Sequence, residues 1–544
     1  MKRTIYAYIY RNILFISAIT VAAALRFYQI TYQVIADDEW HSIHKIFNLT
    51  ILGIISNPGE TTDSVPLTVF YKLMLDHVIL SEWVMQGPSL LFGMLAVIVL
   101  PIAARTVVGR GASLVFAWLI AISPLMIFYA RLARPYAFIP VLALGGVMAF
   151  LKWRGGDGKK WAVIYVICAV AAPYLHLTAL PFLIAPLVVL PLETGWELHK
   201  KTQSAKAPKL ETVIVYTLVS ALLSLLVYFV LSDRSGSFSA KIAKDRPTIE
   251  TFLESLKLFY GTRCSWIEAV LVAAGVIGVW QILKTRPRFA LYVFTACLFQ
   301  TVFIVLSAPY ASVIPAVFAR YTLSKLPVML LLSGVGLVRI DGCLRNILPR
   351  LPHVISVIVV LSLILFSPLR NIYYRPNSFT NHVLFQHDYN PYNKYAKKLR
   401  PKSMPQFYYD LQKIDKDSIT IVEAPWYYSY QSNVIYVYYQ QLHRQRVVIG
   451  FVGADLLHFG EFPFNKRARF RNFVNLSDYQ DLKRRKVKYV VFHKNLINEV
   501  TSIYSNAEAV DMAHWIKYYR LIFGNPVHTD DNIVVFDVSL QHKD

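Results

Sequence analysis

Cysteine is scarce: four residues in 544 (Cys168, Cys264, Cys297 and Cys343), with no C-x-x-C spacing and none after position 343. That excludes a disulfide scaffold and a thiolate zinc module. Charge is thin as well, at 16%, and acids are the rarer sign, 33 against 56 Lys and Arg. No Gly-rich phosphate loop, internal repeat or low-complexity segment occurs, so nothing points to a nucleotide site. What the chain has is apolar sequence, 55% of its residues, and a mean hydropathy of +0.42. An ordinary soluble domain does not need that much to bury its core. The formal charge of +23 is therefore read against membrane topology, because basic residues collect in cytoplasmic loops. Nucleic acid is not expected as a partner.

A membrane span needs about 20 apolar residues. The N-terminus, MKRTIYAYIYRNILFISAITVAAAL, joins a basic start to an apolar run without a small-x-small cleavage site, and reads as the first anchor. Eleven stretches qualify, near 8–28, 86–106, 111–130, 135–152, 161–177, 178–193, 212–231, 266–283, 289–308, 322–339 and 352–369. The fifth and sixth are short pieces around His176, bounded by Pro173 and Pro181. An odd count puts the two ends on opposite sides.

Basic residues decide the direction. Lys2, Arg3 and Arg11 precede the first stretch; Arg105 with Arg110, Lys152 to Lys160, Lys200 to Lys209, Lys284 to Arg288, and Arg345 with Arg350 fill alternate loops. That side is the cytoplasm, so 29–85, 131–134, 232–265, 309–321 and everything after about 370 face outwards. The expected fold class is an α-helical polytopic membrane protein over 1–370 with a soluble, extracytoplasmic α/β domain over 371–544. Missing cysteine pairs in the outward third favour a bacterial inner membrane and periplasm over a eukaryotic lumen. The sequons at Asn48 and Asn475 arise by chance too often to weigh against that.

The outward loops are patterned. EWHSIHKIFNLTILGIIS, PLTVFYKLMLDHVIL and IETFLESLKLFYG carry apolar residues at helical spacing, as interfacial helices do. Beyond Pro376, the runs SITIVEAP, RVVIGFV, VKYVVFH and NIVVFDV alternate with helical patterns, which predicts an α/β domain with a parallel sheet. Its aromatics, Trp426, Tyr427, Tyr428, Tyr430, Tyr436, Tyr438 and Tyr439, are expected to serve chiefly as its own core.

Four constellations carry chemistry. Asp37, Asp38 and Glu39 stand together after the first stretch; they fit a general base with a neighbour that orients substrate or holds a cation, or a solvated turn capping the next helix. SPLMIFYARLARPYAF places Arg131, Arg134 and Tyr136 at the outer surface, against the positive-inside trend. Guanidinium there suits bidentate grip of a phosphate, or snorkelling into headgroups. Arg320, Tyr321 and Lys325 occupy a matching position, with Lys241, Lys244 and Arg246 in another outer loop; they are candidates for a leaving phosphate or for anionic-lipid anchoring. His176 stands at the junction of two short stretches, as a substrate ligand or as a satisfied polar core residue. Glu39, His41 and His44 have spacing that a divalent cation could use, without an obvious third ligand.

In this order the residues resemble the GT-C superfamily of membrane glycosyltransferases, in particular the branch of protein O-mannosyltransferases and the lipid A aminoarabinose transferase, over roughly residues 8–370. Asp38-Glu39 matches the acidic pair of the first outer loop, whose first member is the family's catalytic base; Pro66, Leu67, Pro88 and Ser89 keep parts of its next segment, without the histidine. Tyr129 to Ala137 resembles its Tyr-Ser-x-Glu-Ala-Arg-x-Tyr-Ala, with Leu132 in place of the acid; His176 to Leu180 resembles His-Tyr-x-Ala-Leu, and Arg320-Tyr321 its late Arg-Tyr. The resemblance implies inverting transfer from a polyprenyl-phosphate sugar to a lipid, glycan or protein acceptor, with Asp38 as base, Glu39 beside it, and Asp37, His41, Arg131, Tyr136 and His176 on substrate. It implies donor phosphate on Arg134, Arg320, Tyr321 and Lys325, membrane lipid around the spans, and no certain cofactor. The rival expectations are a transporter or flippase, and a non-catalytic envelope assembly protein.

Overall fold

The described residues of the predicted stretches are mostly helical in a computed structural model that describes residues 2–28, 30, 39, 46, 49–56, 64–200, 210–231, 245–262, 264–309, 311–344, 353–367, 369, 403–416, 418–425, 436, 439–440, 442–451, 467–468, 470, 473–494 and 512–539. The chain divides into two units. The first comprises 1–28, 50–69 and 86–370, the second 29–49, 70–85 and 371–544.

The first unit is helical: α1 (Lys2–Phe27), α2 (Ile51–Ser56), the start of α3 (Val65–His77), most of α4 (Glu82–Ile122), α5 (Pro124–Ala130), α6 (Phe138–Gly155), α7 (Lys160–Leu175) and α8 (Leu180–Lys200). It continues with α9 (Leu210–Leu231), α10 (Ile249–Tyr260), α11 (Ser265–Thr285), α12 (Pro287–Ser307), α13 (Pro315–Tyr321), α14 (Leu326–Leu344) and α15 (Val354–Phe366). The 41 residues of α4 are two helices run together across Gly109, whose φ of 81° and ψ of 171° leave helical space; this separates the stretches predicted at 86–106 and 111–130. Among the described residues, five helical segments are long and apolar enough to cross a bilayer, and five shorter apolar helices accompany them.

The exposed faces are apolar. Val99, Ile167, Leu225, Val276, Leu298 and Leu365 are uncovered, a surface that hydrocarbon accommodates and water does not. Read with the helix lengths, this makes the chain a multi-pass membrane protein. Inside, α11 and α14 meet backbone to backbone: a Cβ on Gly278 would stand 1.9 Å from the Leu332 carbonyl, and one on Gly336 1.8 Å from that of Ala274. Lipid offers no hydrophobic drive between helices, so close packing at small residues does the joining. As predicted for 249–261, α10 is amphipathic. It starts in a reciprocal Thr248 and Thr251 cap, buries Ser255 and Phe259, and leaves Ile249 81% and Leu253 52% exposed.

The second unit is an α/β fold on a six-stranded sheet of order β3-β2-β1-β4-β6-β5, with β1 (Thr420–Ala424), β2 (Arg446–Phe451), β3 (Phe473–Asn475), β4 (Val487–His493), β5 (His528–Thr529) and β6 (Ile533–Asp537). Strands β1 to β4 pair in parallel, as predicted. NIVVFDV departs from the parallel expectation: β6 runs antiparallel to both β4 and β5. For β5 and β6 the reason is local: Asp530 accepts hydrogen bonds from the backbone of Asn532 and Ile533, both at 2.8 Å, and the tight turn so closed joins them as an antiparallel pair. Helices α16 (Gln406–Gln412), α17 (Tyr479–Arg484) and α18 (Ala513–Phe523) flank the sheet, whose core includes Val422, Val448, Val474, Phe492, Tyr519 and Phe536. The segment 70–85 belongs here as well: Leu80 bridges to Ala468 in parallel fashion and donates its N–H to the Arg467 carbonyl at 2.7 Å.

At the carboxyl ends of β1 and β4 the core turns polar. Glu423 and His493, both fully buried, stand 2.9 Å apart, and the Tyr408 hydroxyl donates to Glu423 at 3.0 Å. Tyr439 stacks on Tyr408 at 4.2 Å. Tyr436 and Tyr439 are buried, the core role expected of these aromatics, while Trp426, Tyr427, Tyr428, Tyr430 and Tyr438 lie outside the described residues. Beneath Tyr408, His443 accepts the Gln445 N–H at 3.0 Å, and burial pushes its pKa from 6.5 down to about 3. The unfolded chain therefore takes up a proton as pH falls below 6.5 that the folded chain refuses until about 3. Stability is full above that window and falls within it by about 1.4 kcal/mol per pH unit. Unfolding of the purified chain between pH 7 and pH 5 should show this loss, and His443→Phe should flatten it.

Candidate active site

Arg131, Arg134, Tyr136, His176, Arg320, Tyr321 and Lys325 sit at or beside interruptions of helices, and the same device recurs. After α5 the chain passes through Arg131 to Arg134 and a 3-10 turn, Pro135–Ala137, into α6. After α7 it passes through His176 and the turn Leu177–Ala179 into α8, and after α13 through Thr322 and the turn Leu323–Lys325 into α14. Proline explains the first break. Pro135 disfavours helical backbone in the residue before it, and Arg134 is extended at φ −139° and ψ 159°. The Ser89 hydroxyl holds that bend by donating to the Arg134 carbonyl at 2.8 Å, which gives the retained Pro-Ser pair a structural role.

The three breaks converge on one aromatic ring. The Arg134 guanidinium carbon lies 5.7 Å from the centroid of Tyr136, and that of Arg320 lies 5.5 Å from it. The His176 ring stands 5.5 Å from Tyr136 and 6.0 Å from Tyr321, and Arg320 lies 5.5 Å from the Tyr321 ring. Arg134 is only 8% exposed and Tyr136 3%. The imidazole is oriented by Thr178, whose hydroxyl oxygen is 2.7 Å from Nδ1. Lys325, also buried, donates to the Thr301 hydroxyl at 2.5 Å. Two guanidiniums and an imidazole around phenol rings form a positive, partly desolvated cluster. That chemistry suits a phosphate ester, since guanidinium combines charge with several directed donors and the rings hold the cations by their faces.

Arg131 is tied to α1. Its Nη1 donates to the Tyr28 carbonyl at 2.8 Å and to that of Leu25 at 3.4 Å, closing the end of α1. Arg26 returns the favour: it is fully buried, and donates to the Ala121 carbonyl at 3.0 Å and the Ile120 carbonyl at 3.2 Å at the end of α4. Helix ends present carbonyls without partners, and cations satisfy them. Leu132, which stands where the family pattern has an acid, is buried.

Glu39 is fully buried in the second unit. Asp37, Asp38, His41, His44, Lys241 and Lys244 lie outside the described residues. Among the described residues no three His, Cys, Asp or Glu side chains gather as metal ligands. Three contributors escaped the sequence reading: Arg26, Thr301 and Gln300, whose amide donates to the Thr178 and Tyr321 carbonyls at 2.9 and 3.2 Å. The available signal was a polar side chain in an apolar helix.

No protein-family model and no curated protein matches the chain. Among solved structures it is similar to ArnT from Cupriavidus metallidurans in the apo state, at 13% identity over 99% of this chain and 100% of that one, with a TM-score of 0.45. The same protein bound to undecaprenyl phosphate is similar at 13% identity over 97% of each chain, TM-score 0.44. The Archaeoglobus fulgidus oligosaccharyltransferase complexed with Zn and sulfate is similar at 12% identity over 88% of this chain and 68% of that one, TM-score 0.39.

The capping arginines yield a prediction. Arg26→Leu leaves the Ala121 carbonyl without its donor in an apolar setting, at a cost of about 1–3 kcal/mol. Thermal unfolding of the purified variant in detergent should register that loss, whereas a truncation at the exposed Ile13 should not.

Proposed function

We propose that the chain is an inverting glycosyltransferase of the inner membrane that moves a sugar from a polyprenyl-phosphate donor to a lipid, glycan or protein acceptor on the periplasmic side. The observation that carries this reading is the convergence of Arg134, Arg320 and His176 on Tyr136 from three separate helix breaks, with Tyr321 against His176 and Arg320. In the reaction, Asp38 takes the proton from an acceptor hydroxyl or amine as that atom bonds to the anomeric carbon. The bond from that carbon to the phosphate oxygen breaks, and its electron pair leaves with the polyprenyl phosphate. The leaving group gains a negative charge, and Arg134 and Arg320 stabilise it where it develops. Glu39 steadies the base, and Lys325 adds charge beside the phosphate.

Orientation follows from the loop charges: N-terminus in the cytoplasm, second unit in the periplasm. Broken helices with ionisable residues also occur in transporters, so the alternative is translocation of the same lipid-linked sugar without transfer. The two readings part on chemistry. Membranes containing the wild-type chain should transfer label from a radiolabelled polyprenyl-phosphate sugar, and Asp38→Asn should lower the rate by about 10²–10⁴-fold. Wild-type inactivity across donors, or an Asp38→Asn rate equal to wild type, would overturn the assignment.

A further inference from the structure

Gln300 is fully buried within α12, in surroundings where an amide N–H is costly unless it is used; its Oε1 has no hydrogen-bond partner. Its Nε2 has three acceptors: the Thr178 carbonyl at 2.9 Å, the Tyr321 carbonyl at 3.2 Å and the Ser324 hydroxyl at 3.2 Å. The first belongs to the break after α7, and the other two to the break after α13. One side chain thus ties together two interrupted segments that no regular helix joins. Each tie falls next to a residue of the cluster. Thr178 is the residue whose hydroxyl meets the His176 imidazole at 2.7 Å; Tyr321 follows Arg320 and faces that imidazole at 6.0 Å. The adjacent Thr301 receives Lys325, so consecutive residues of α12 fix both ends of the segment from Tyr321 to Lys325.

We infer that Gln300 is a positioning residue: its amide sets the spacing between His176 on one side and Arg320 with Tyr321 on the other, and thereby the fit of the cluster to a phosphate monoester or diester. This rests on the proposed reading of the cluster as the donor-phosphate site. Side-chain length and donor count are both required. Leucine matches the volume but supplies no donor. Glutamate matches the length, but meets two carbonyls with an acceptor unless it is protonated, and then supplies one donor.

The test uses the full chain in nanodiscs, with undecaprenyl phosphate as the binding probe and transfer of labelled sugar as the kinetic readout. Gln300→Leu should weaken probe binding by the folded fraction at least tenfold and raise KM for the donor more than it lowers kcat, beyond the loss of thermal stability that two carbonyls without their donor bring. For Gln300→Glu, the ratio of its Kd to the wild-type Kd should shrink as pH falls from 8 to 5.5. A purely structural role would instead lower the yield of folded protein and leave the Kd and KM of the remainder unchanged, which would overturn the inference. If Gln300→Leu does not accumulate, the glutamate variant decides: a Kd ratio that stays flat with pH is contrary to the proposal. Wild type that binds the probe while both variants bind equally well removes Gln300 alone. Wild type that binds no probe removes the phosphate-site reading, and this inference with it.

Discussion

A carbonyl released by breaking a helix inside an apolar layer must find a donor, because neither lipid nor an apolar core supplies one. Much of the first unit follows from that constraint. Arg26 supplies donors at the end of α4 and Arg131 at the end of α1, so the early helices are locked by exchanged guanidiniums. Gln300 does the same for the breaks after α7 and α13, and Ser89 for the bend at Arg134. The donors that satisfy backbone at these breaks also fix where the neighbouring side chains stand.

This is why cations can be held near one another around Tyr136. Two guanidiniums within 6 Å of one ring centroid repel, and attachment to separate, tied breaks holds them there; on the proposed reading, an anion would relieve that repulsion. Preorganised positive charge is what a leaving phosphate requires, since no reorganisation is then needed as charge develops. The close contact of α11 with α14 at Gly278 and Gly336 supports the same economy by removing slack from the helix on which Lys325 enters.

Much of this was legible in the sequence. Stretches of about 20 apolar residues mark helices because hydrocarbon thickness demands that length, and α10 was readable from its amphipathic period. Arg134, Tyr136, His176, Arg320 and Tyr321 stood out as polar residues at the ends of apolar runs, and they come together. What could not be read was pairing at long range. Nothing local says that Arg26 serves a helix ending almost a hundred residues later, that Gln300 reaches two separate breaks, or that Arg131 closes α1. The parallel sheet followed from alternating strand and helix patterns, but β6 runs antiparallel to both its neighbours, and only its pairing with β5 has a local mark, the turn at Asp530. The assignment of 29–49 and 70–85 to the second unit likewise depends on a contact such as Leu80 with Ala468, which leaves no mark on either segment.

The central claim is that the cluster around Tyr136 is built to hold the phosphate of a membrane-borne donor. Its most direct test is an experimental structure of the full chain with sugar-free undecaprenyl phosphate in a lipid nanodisc. The account predicts phosphate density within hydrogen-bonding distance of both the Arg134 and Arg320 guanidiniums, beside His176. Phosphate bound elsewhere, with those arginines contacting only protein, would contradict it.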